Sequence, residues 1–242
     1  MEELFSQKKC LVAFVDILGV SAKIKNDATE AIQDVWAFCH RILKATYKTK
    51  LKIKIFSDNI FLCEEIDEQN PVEAINDIFS ALNEIETTMI NLNNSFVRGA
   101  VAVGMVHFED NFALGEALLK VYELESKVAI YPRIVIDESV FTYLKKNAPT
   151  IKKDFDGTYF YDFLPFAGHV LQNPQTGEIT RHYLNLEQFK LRIISNCLNN
   201  KNNSVVLQKM NWVVNYIQTF CMENGMTPIF TDEEMMLLET LK

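Results

Sequence analysis

The chain has 242 residues, of which 48% are hydrophobic and 23% are charged, and its formal net charge is −8. This composition predicts a globular protein with a full core, either one large domain or a domain with an appendage. The negative net charge argues against nonspecific electrostatic binding to nucleic acid or to an anionic membrane. No segment approaches the ~20 apolar residues of a membrane span.

The first half of the chain predicts strands and helices in alternation. Three strands are predicted, at residues 9–17, 50–57 and 59–64. Asp27 and Glu30 indicate the start of a first helix, and Asn70-Pro71 indicate the start of a second. The apolar faces predicted for these helices are Ile32, Val35, Trp36, Cys39, Ile42 and Leu43 in the first, and Ile75, Ile78, Phe79, Leu82, Ile85 and Met89 in the second.

A long strand (96–107), a helix (about 113–127) and a strand (about 132–137) complete the predicted order. The result is an α+β chain with a β-α-β-β-α-β, ferredoxin-like core. Beyond it we expect a strand at 157–163 and helices at 185–199 and 204–223. Thr231-Asp232-Glu233-Glu234 predicts a last, short helix as a capping box. We assign residues 1–165 to the core domain and 166–242 to a helical extension packed on the same unit.

Cysteine usage indicates a compartment. The five cysteines lie at positions 10, 39, 63, 197 and 221 and show no CxxC spacing. The first residues, Met1-Glu2-Glu3-Leu4, lack the basic start and apolar core of a secretion signal. An odd number of cysteines without such a signal favours a reducing compartment. We therefore expect a cytoplasmic protein with no nucleic-acid and no membrane partner.

Two carboxylates stand at the ends of apolar, strand-like segments. Asp16 follows the continuous apolar run from Cys10 to Val15, and Asp58 follows an alternating run that ends at Phe56. A buried, unpaired carboxylate costs several kcal/mol, so a cation, a metal or hydrogen bonds normally offset it. If the two converge, they suit Mg²⁺ or Mn²⁺, which take one or two carboxylates beside water and substrate phosphates. The alternative is that each aspartate caps a strand-end turn.

A third segment joins these two in a recognisable order. Residues 97–106, which begin Val97-Arg98-Gly99-Ala100, predict a buried strand, and residues 115–126 predict a helix that ends Leu124-Glu125-Ser126. In order and spacing, the three segments resemble the class III nucleotidyl cyclases over roughly residues 8 to 140. The wording Asp-Ile-Leu-Gly, Phe-Ser-Asp and Arg-Gly-Ala is most similar to the bacterial Pycsar-type pyrimidine cyclases.

The resemblance implies a set of site residues. Asp16, Asp58 and the carbonyl of Ile17 would hold two Mn²⁺ or Mg²⁺ ions. The catalytic residues would be Asp16, Asp58 and Arg98. The nucleotide would contact Phe14, Ile17, Leu18, Gly19, Val20, Ser21, Lys54 and Phe112. Two of these carry open alternatives, because Lys54 also fits a solvated strand face beside Lys52, and Arg98 also fits a simple partner for an acid.

The chain departs from the purine cyclases at two places. These enzymes carry Asn and Arg one turn apart on the helix that ends Leu-Glu-Ser, where this chain has Leu119 and Glu123 when aligned on Gly115. A carboxylate does not stabilise developing phosphate charge, so Arg98 is the first substitute. The purine-recognising acid is replaced around Phe112, whose bulk would shrink the base pocket. A smaller pocket favours a pyrimidine, and we prefer UTP to CTP.

The resemblance also implies partners and a role. We expect a homodimer with its sites at the subunit interface, a nucleoside triphosphate substrate, and a 3′,5′-cyclic pyrimidine nucleotide that a separate effector recognises in antiphage defence. One alternative is a catalytically inactive, cyclase-like nucleotide-binding or regulatory domain, motivated by Leu119 and Glu123. Another is a ferredoxin-like interaction module, which would bind no nucleotide in a metal-dependent way.

Overall fold

The computed structural model describes residues 6–92, 95–109, 112–144, 151–167, 169–172, 179–182 and 186–241. The chain forms two compact units, Met1–Asp162 and Phe163–Lys242. The assignment of residues 1–165 to a cyclase-like domain and of 166–242 to an extension remains a prediction. No helix in the described part of the chain combines the length and the apolar character needed to cross a membrane.

The first unit contains a mixed sheet and its covering helices. Its strands are β1 (Lys8–Ile17), β2 (Lys52–Phe56), β3 (Asn59–Glu65), β4 (Val97–Glu109), β5 (Phe112–Gly115), β6 (Ile134–Ile136), β7 (Ile151–Lys153) and β8 (Tyr159–Tyr161). Its helices are α1 (Val20–Asn26), α2 (Ala28–Thr46), α3 (Val72–Leu92), α4 (Glu116–Lys127) and α5 (Glu138–Phe141). The second unit contains β9 (His169–Gln172), β10 (Ile179–His182), α6 (Leu186–Asn199), α7 (Ser204–Glu223) and α8 (Asp232–Thr240).

Strand β1 lies at the centre of the sheet. The strand order is β2-β3-β1-β4-β6-β8-β7, with β5 paired to β4. β1 runs antiparallel to both β3 and β4. The order β2-β3-β1-β4, with helices between β1 and β2 and between β3 and β4, is the ferredoxin-like arrangement, so the predicted α+β fold is confirmed.

Burial on both faces explains why β1 is continuously apolar. Leu11, Val12, Ala13 and Val15 have no exposed surface. Helix α4 packs over one face of the sheet, which we call the α4 face, in a cluster that includes Val12, Ala100, Val121 and Phe14. Helix α3 packs against β1 and β3, and all six predicted apolar residues of that helix are buried. Alternate residues of β1 therefore meet apolar surface on either side.

The predicted apolar face of α2 is wrong in part. Asp27 caps the helix as predicted, because its carboxylate accepts hydrogen bonds from the backbone N–H groups of Thr29 and Glu30. The buried side of the helix, however, is formed by Ala31, Phe38, Ile42 and Thr46. Three predicted core residues face solvent instead, namely Ile32, Trp36 and Leu43. Periodicity locates an apolar stripe, but it does not decide which stripe the rest of the protein covers.

The helix predicted at 113–127 begins three residues later than expected. Residues 112–115 pair with β4 as strand β5, and α4 starts at Glu116. A Cβ at Gly115 would lie 2.2 Å from the carbonyl oxygen of Met105 on β4, so a glycine is needed where the chain leaves β5 and turns into the helix. The later helices match their predictions, including the capping box at Thr231 and Glu234.

Gly99 allows β4 to approach β1 closely. A Cβ at this position would lie 2.4 Å from the carbonyl oxygen of Phe14, whereas a Cβ at Gly104 would lie 3.2 Å from Ala117 Cβ. We expect Gly99→Ala to lower the free energy of unfolding by about 3 kcal/mol, because backbone must move, and Gly104→Ala to cost less. Urea denaturation of both variants measures this difference, and equal losses would contradict it.

A buried carboxyl on β3 makes stability depend on pH. Burial raises the pKa of Glu64 from 4.5 to about 7, and the nearby carboxylates of Asp77 and Glu73 push it in the same direction. Between these two pH values the unfolded chain loses the proton while the folded chain keeps it. The stability supplied by the protonated form is therefore complete below pH 4.5 and is lost as pH rises through about 7.

We expect Glu64→Gln to remove most of this pH dependence, since the amide stays neutral. The measurement is the free energy of urea unfolding at a series of pH values across that window. Glu65→Gln is the matched control, because Glu65 is the exposed neighbour that pairs with Lys8. A wild-type chain that gains stability across the window would exclude this assignment.

Candidate active site

Strand pairing brings Asp16 and Asp58 to the same end of the sheet. Asp16 is the penultimate residue of β1 and lies opposite Asn59 on β3 and Arg98 on β4. The next residue, Ile17, donates its backbone N–H to the carbonyl oxygen of Asp58 at 3.0 Å. The three residues predicted to hold metal are therefore neighbours across one strand pair.

Asp58 occupies a tight turn. Ser57 and Asp58 are the two residues between β2 and β3, and Ser57 has a positive φ of 58°. Two-residue hairpins need such left-handed residues so that the turn matches the twist of the strands. The Asp58 carboxylate is half-buried and accepts a hydrogen bond from the Asn59 side-chain amide at 3.2 Å.

Arg98 lies between two carboxylates on the α4 face. Its Nε donates to Asp16 Oδ2 at 3.0 Å, and its Nη2 lies 2.8 Å from Glu125 Oε1. The side chains of Asp16, Arg98 and Glu125 are 17%, 26% and 6% exposed, so all three charges are largely removed from water. The arginine is thus the partner of two acids, and one of these acids is the predicted metal ligand.

Glu125 is the site residue that sequence reasoning missed. The resemblance included it only as the middle letter of Leu124-Glu125-Ser126, and gave it no role. Its position late in α4 lets it reach Arg98 on β4, which couples the helix to the end of the sheet that holds Asp16. The sequence did contain an indication of this role, because a glutamate on the apolar side of an amphipathic helix needs a charged or hydrogen-bonding partner.

The predicted phosphate loop is shorter than expected. Leu18 donates its N–H to the carbonyl oxygen of Phe96 at 2.8 Å, so that group is already used. Gly19 adopts the left-handed region at φ 89° and precedes α1, which begins at Val20. Val20 is buried and Ser21 is exposed, and both belong to the first turn of the helix. A turn glycine followed by a helix start replaces the predicted open loop.

Lys54 belongs to an aromatic cluster on the α4 face. The ammonium groups of Lys54 and Lys52 lie 4.6 and 5.0 Å from the centre of the Phe108 ring. Phe61 also stacks on that ring, with 5.9 Å between the ring centroids and an interplanar angle of 12°. Phe14 also points to this face and meets Tyr122 of α4 edge-on at 5.9 Å.

Phe112 is not brought to Lys54. In the β4–β5 ladder Ala113 lies opposite Phe108, and Phe112 lies opposite Glu109. Because neighbouring strand residues point to opposite faces, Phe112 points away from the face that carries Phe108 and Lys54. Its ring instead approaches His107, at 6.0 Å. The role of Phe112 in base selection stays a prediction, and this register gives it no support.

Two positions on α4 remain open to solvent. Leu119 is 60% exposed. The Glu123 side chain is 64% exposed and forms an ion pair with Lys127, one turn further along the helix, at 3.1 Å. Lys120, the nearest cation on the same helix, pairs with Asp137 at 2.8 Å. Within this chain, neither residue at the two departing positions supplies positive charge to the site.

The donor set suits a hard divalent cation. Asp16, Asp58 and the Ile17 carbonyl provide oxygen atoms only, and Mg²⁺ or Mn²⁺ completes such a set with water and phosphate. Across the described residues, no group of three or more His, Cys, Asp or Glu side chains is arranged to hold a metal ion. Two carboxylates are enough for ions that bind together with a nucleotide. Without such an ion, Arg98 neutralises the charge of Asp16.

From the ion pairs of Arg98 we expect a large loss of stability when the arginine side chain is removed. Arg98→Ala leaves a nearly buried Glu125 facing Asp16, so we expect the free energy of urea unfolding to fall by about 3 kcal/mol or more. Arg41→Ala is the matched control, since Arg41 Nε lies 2.8 Å from Glu84 but the pair is exposed. We expect its loss to stay below about 1 kcal/mol. Similar losses in both variants would contradict the burial argument.

No protein-family model and no curated protein matches the sequence. Among solved structures, the chain is similar to the monomeric guanylyl cyclase domain of the RhoGC fusion protein from the aquatic fungus Blastocladiella emersonii, at 16% identity and a TM-score of 0.50, over 65% of this chain and 96% of that one. The adenylyl cyclase CyaB from P. aeruginosa also aligns, at 17% identity and a TM-score of 0.49, over 65% and 95%. By its likeness to the first of these structures, the chain has the fold of a nucleotide cyclase domain over 65% of its length.

Proposed function

We propose that the chain is a metal-dependent pyrimidine nucleotide cyclase. It would convert UTP, or CTP, into the 3′,5′-cyclic monophosphate and pyrophosphate. The observation that carries this proposal is the pairing of β1 with β3, which sets Asp16 beside the Ser57-Asp58 turn in a cyclase fold. The motif sequences Asp-Ile-Leu-Gly, Phe-Ser-Asp and Arg-Gly-Ala support a pyrimidine nucleotide as the substrate.

The reaction forms one phosphorus–oxygen bond and breaks another. The ribose 3′-oxygen attacks the α-phosphorus, the bond from that phosphorus to the bridging oxygen of the leaving group breaks, and the 3′-hydroxyl proton passes to solvent. Such chemistry depends on positioning and on charge neutralisation more than on covalent help from the protein. Divalent ions, when bound, activate the attacking oxygen and neutralise the leaving group.

Each residue of the site has a proposed role. Asp16, Asp58 and the Ile17 carbonyl would hold the ions. Arg98 lies directly beside Asp16, and its positive charge would attract the phosphates that meet those ions. The turn from Leu18 to Ser21 would approach the phosphates, where Gly19 leaves room because no side chain is present.

The aromatic cluster on the α4 face supports a small base. If Lys54 contacts the base, the base must share that surface with Phe108, whose ring lies 4.6 Å from the lysine ammonium. Because Phe61 stacks on the same ring, Phe108 cannot easily move aside for a larger purine. Phe108 is therefore a better candidate for restricting base size than Phe112. No contact among the described residues favours UTP over CTP, so this preference stays a prediction from the sequence.

A second copy of the chain would complete the site. Apolar side chains remain exposed on the hairpin that carries Asp58 and on α4, with Phe56 83% exposed beside the hairpin turn, and Leu119 and Tyr122 60% and 57% exposed on α4. Large exposed apolar side chains that surround a polar site are typical of an interface. We propose a two-fold homodimer in which each copy covers this surface of the other.

The proposed product is a messenger for a separate effector, in a cytoplasmic antiphage system. The competing candidate is an inactive, cyclase-like nucleotide-binding domain. It is favoured by one observation, that Leu119 and Glu123 stand on α4 where purine cyclases carry Asn and Arg. Binding without turnover is the result that separates it from the enzyme.

The deciding experiment incubates the protein with Mn²⁺ or Mg²⁺ and, separately, ATP, GTP, CTP and UTP, and identifies the product by mass spectrometry. We expect a cyclic pyrimidine nucleotide, and a loss of at least about a hundredfold in rate for Asp58→Asn, because one side of the metal site is gone. Asp232→Asn, an exposed aspartate of α8, is the matched control and should keep full activity.

The other outcomes are equally informative. A cyclic purine product would keep the mechanism and overturn the argument from Phe108. Metal-dependent nucleotide binding without any product, in a folded dimer, would favour the inactive domain. Absence of metal-dependent binding for all four nucleotides would reject both.

A further inference from the structure

Helix α2 presents a row of large apolar side chains to solvent. Ile32, Trp36, Leu43 and Tyr47 are 62%, 66%, 47% and 72% exposed. Their spacing of four, seven and four residues places them along one side of the helix. We call these four residues the α2 stripe. Ala31, Phe38 and Ile42, which lie roughly a third of a turn around the helix from the stripe, are fixed in the core, so the fold holds the stripe outward.

The α2 stripe is symmetric about its own middle. Ile32 and Tyr47 lie at equal distances in sequence from the point between Cys39 and His40, and so do Trp36 and Leu43. When two identical helices pack antiparallel around that point, each aromatic ring of one copy meets an aliphatic side chain of the other. Such a patch can complement itself, as the contact of two identical copies around a two-fold axis requires.

The size of the patch is sufficient for a specific contact. The four side chains and their surroundings in two copies would remove on the order of 1,000 Å² from water, the size at which specific interfaces begin. Two of the four are aromatic, and Trp and Tyr are the residues that most often dominate binding energy.

We propose that the α2 stripe binds the α2 stripe of a second copy, antiparallel and around a two-fold axis near Cys39. This contact does not depend on the proposed enzymatic activity. It uses different residues from Phe56, Leu119 and Tyr122, which would form the dimer around the active site. A chain that uses both contacts assembles beyond a dimer.

The first test is the molar mass in solution, by sedimentation equilibrium over a range of concentrations. We expect Trp36→Glu to raise the dissociation constant of one association step by at least about tenfold, since it places a charge at the centre of the contact. Met236→Glu is the matched control, because Met236 on α8 is also 66% exposed. The far-UV circular dichroism spectrum should be unchanged in both variants, since neither side chain belongs to the core.

The second test uses the position of Cys39 beside the axis. Cys39 is partly exposed, whereas Cys10, Cys63, Cys197 and Cys221 are buried. A short bis-maleimide should therefore give a covalent dimer of the native protein through Cys39 alone, and Cys39→Ser should abolish it. Failure to crosslink, or a folded Trp36→Glu protein with unchanged association, would overturn the proposal. Neither measurement uses catalytic activity, so the result is independent of the cyclase assay.

Discussion

The pairing of β1 with its two neighbours is the constraint on which the site depends. Asp16 is useful only because the register sets it opposite Arg98 on one side and Asn59 on the other, next to the Asp58 turn. A slip of one residue would turn Asp16 to the other face of the sheet and bury its charge under α3. The apolar run before it, in which Leu11, Val12, Ala13 and Val15 are fully buried, fixes that register, so the core and the site share one requirement.

Arg98 links this strand end to the helix above it. With one cation between Asp16 and Glu125, the chain can keep two carboxylates in a largely buried place without a bound ion. A divalent ion at Asp16 would take over part of that neutralisation and leave Arg98 held by Glu125. The position of α4 and the charge balance at Asp16 are therefore coupled, although the residues lie on different elements.

The features that were predictable from sequence are those set by local pattern. Strand β1, the Ser57-Asp58 turn and the buried face of α3 follow from apolar periodicity and turn chemistry, and the positions of Asp16 and Asp58 follow from them. The start of α4 was missed because the β4–β5 ladder is a pairing between separate segments. The neighbours of Phe112 could not be predicted for the same reason, since one residue of register decides the face of a side chain.

The α2 helix shows what such a misassignment can reveal. Its larger apolar residues were predicted to face the core, but the core accepts Ala31 and Phe38 and leaves Trp36 outside. The resulting surface is distinct from the one around Asp16. Two different two-fold contacts on one chain close into a tetramer when their axes meet at a right angle and into larger closed rings at certain smaller angles, and they continue into an open array when the axes do not meet. The stoichiometry of the native protein therefore reports on the relation between these two surfaces.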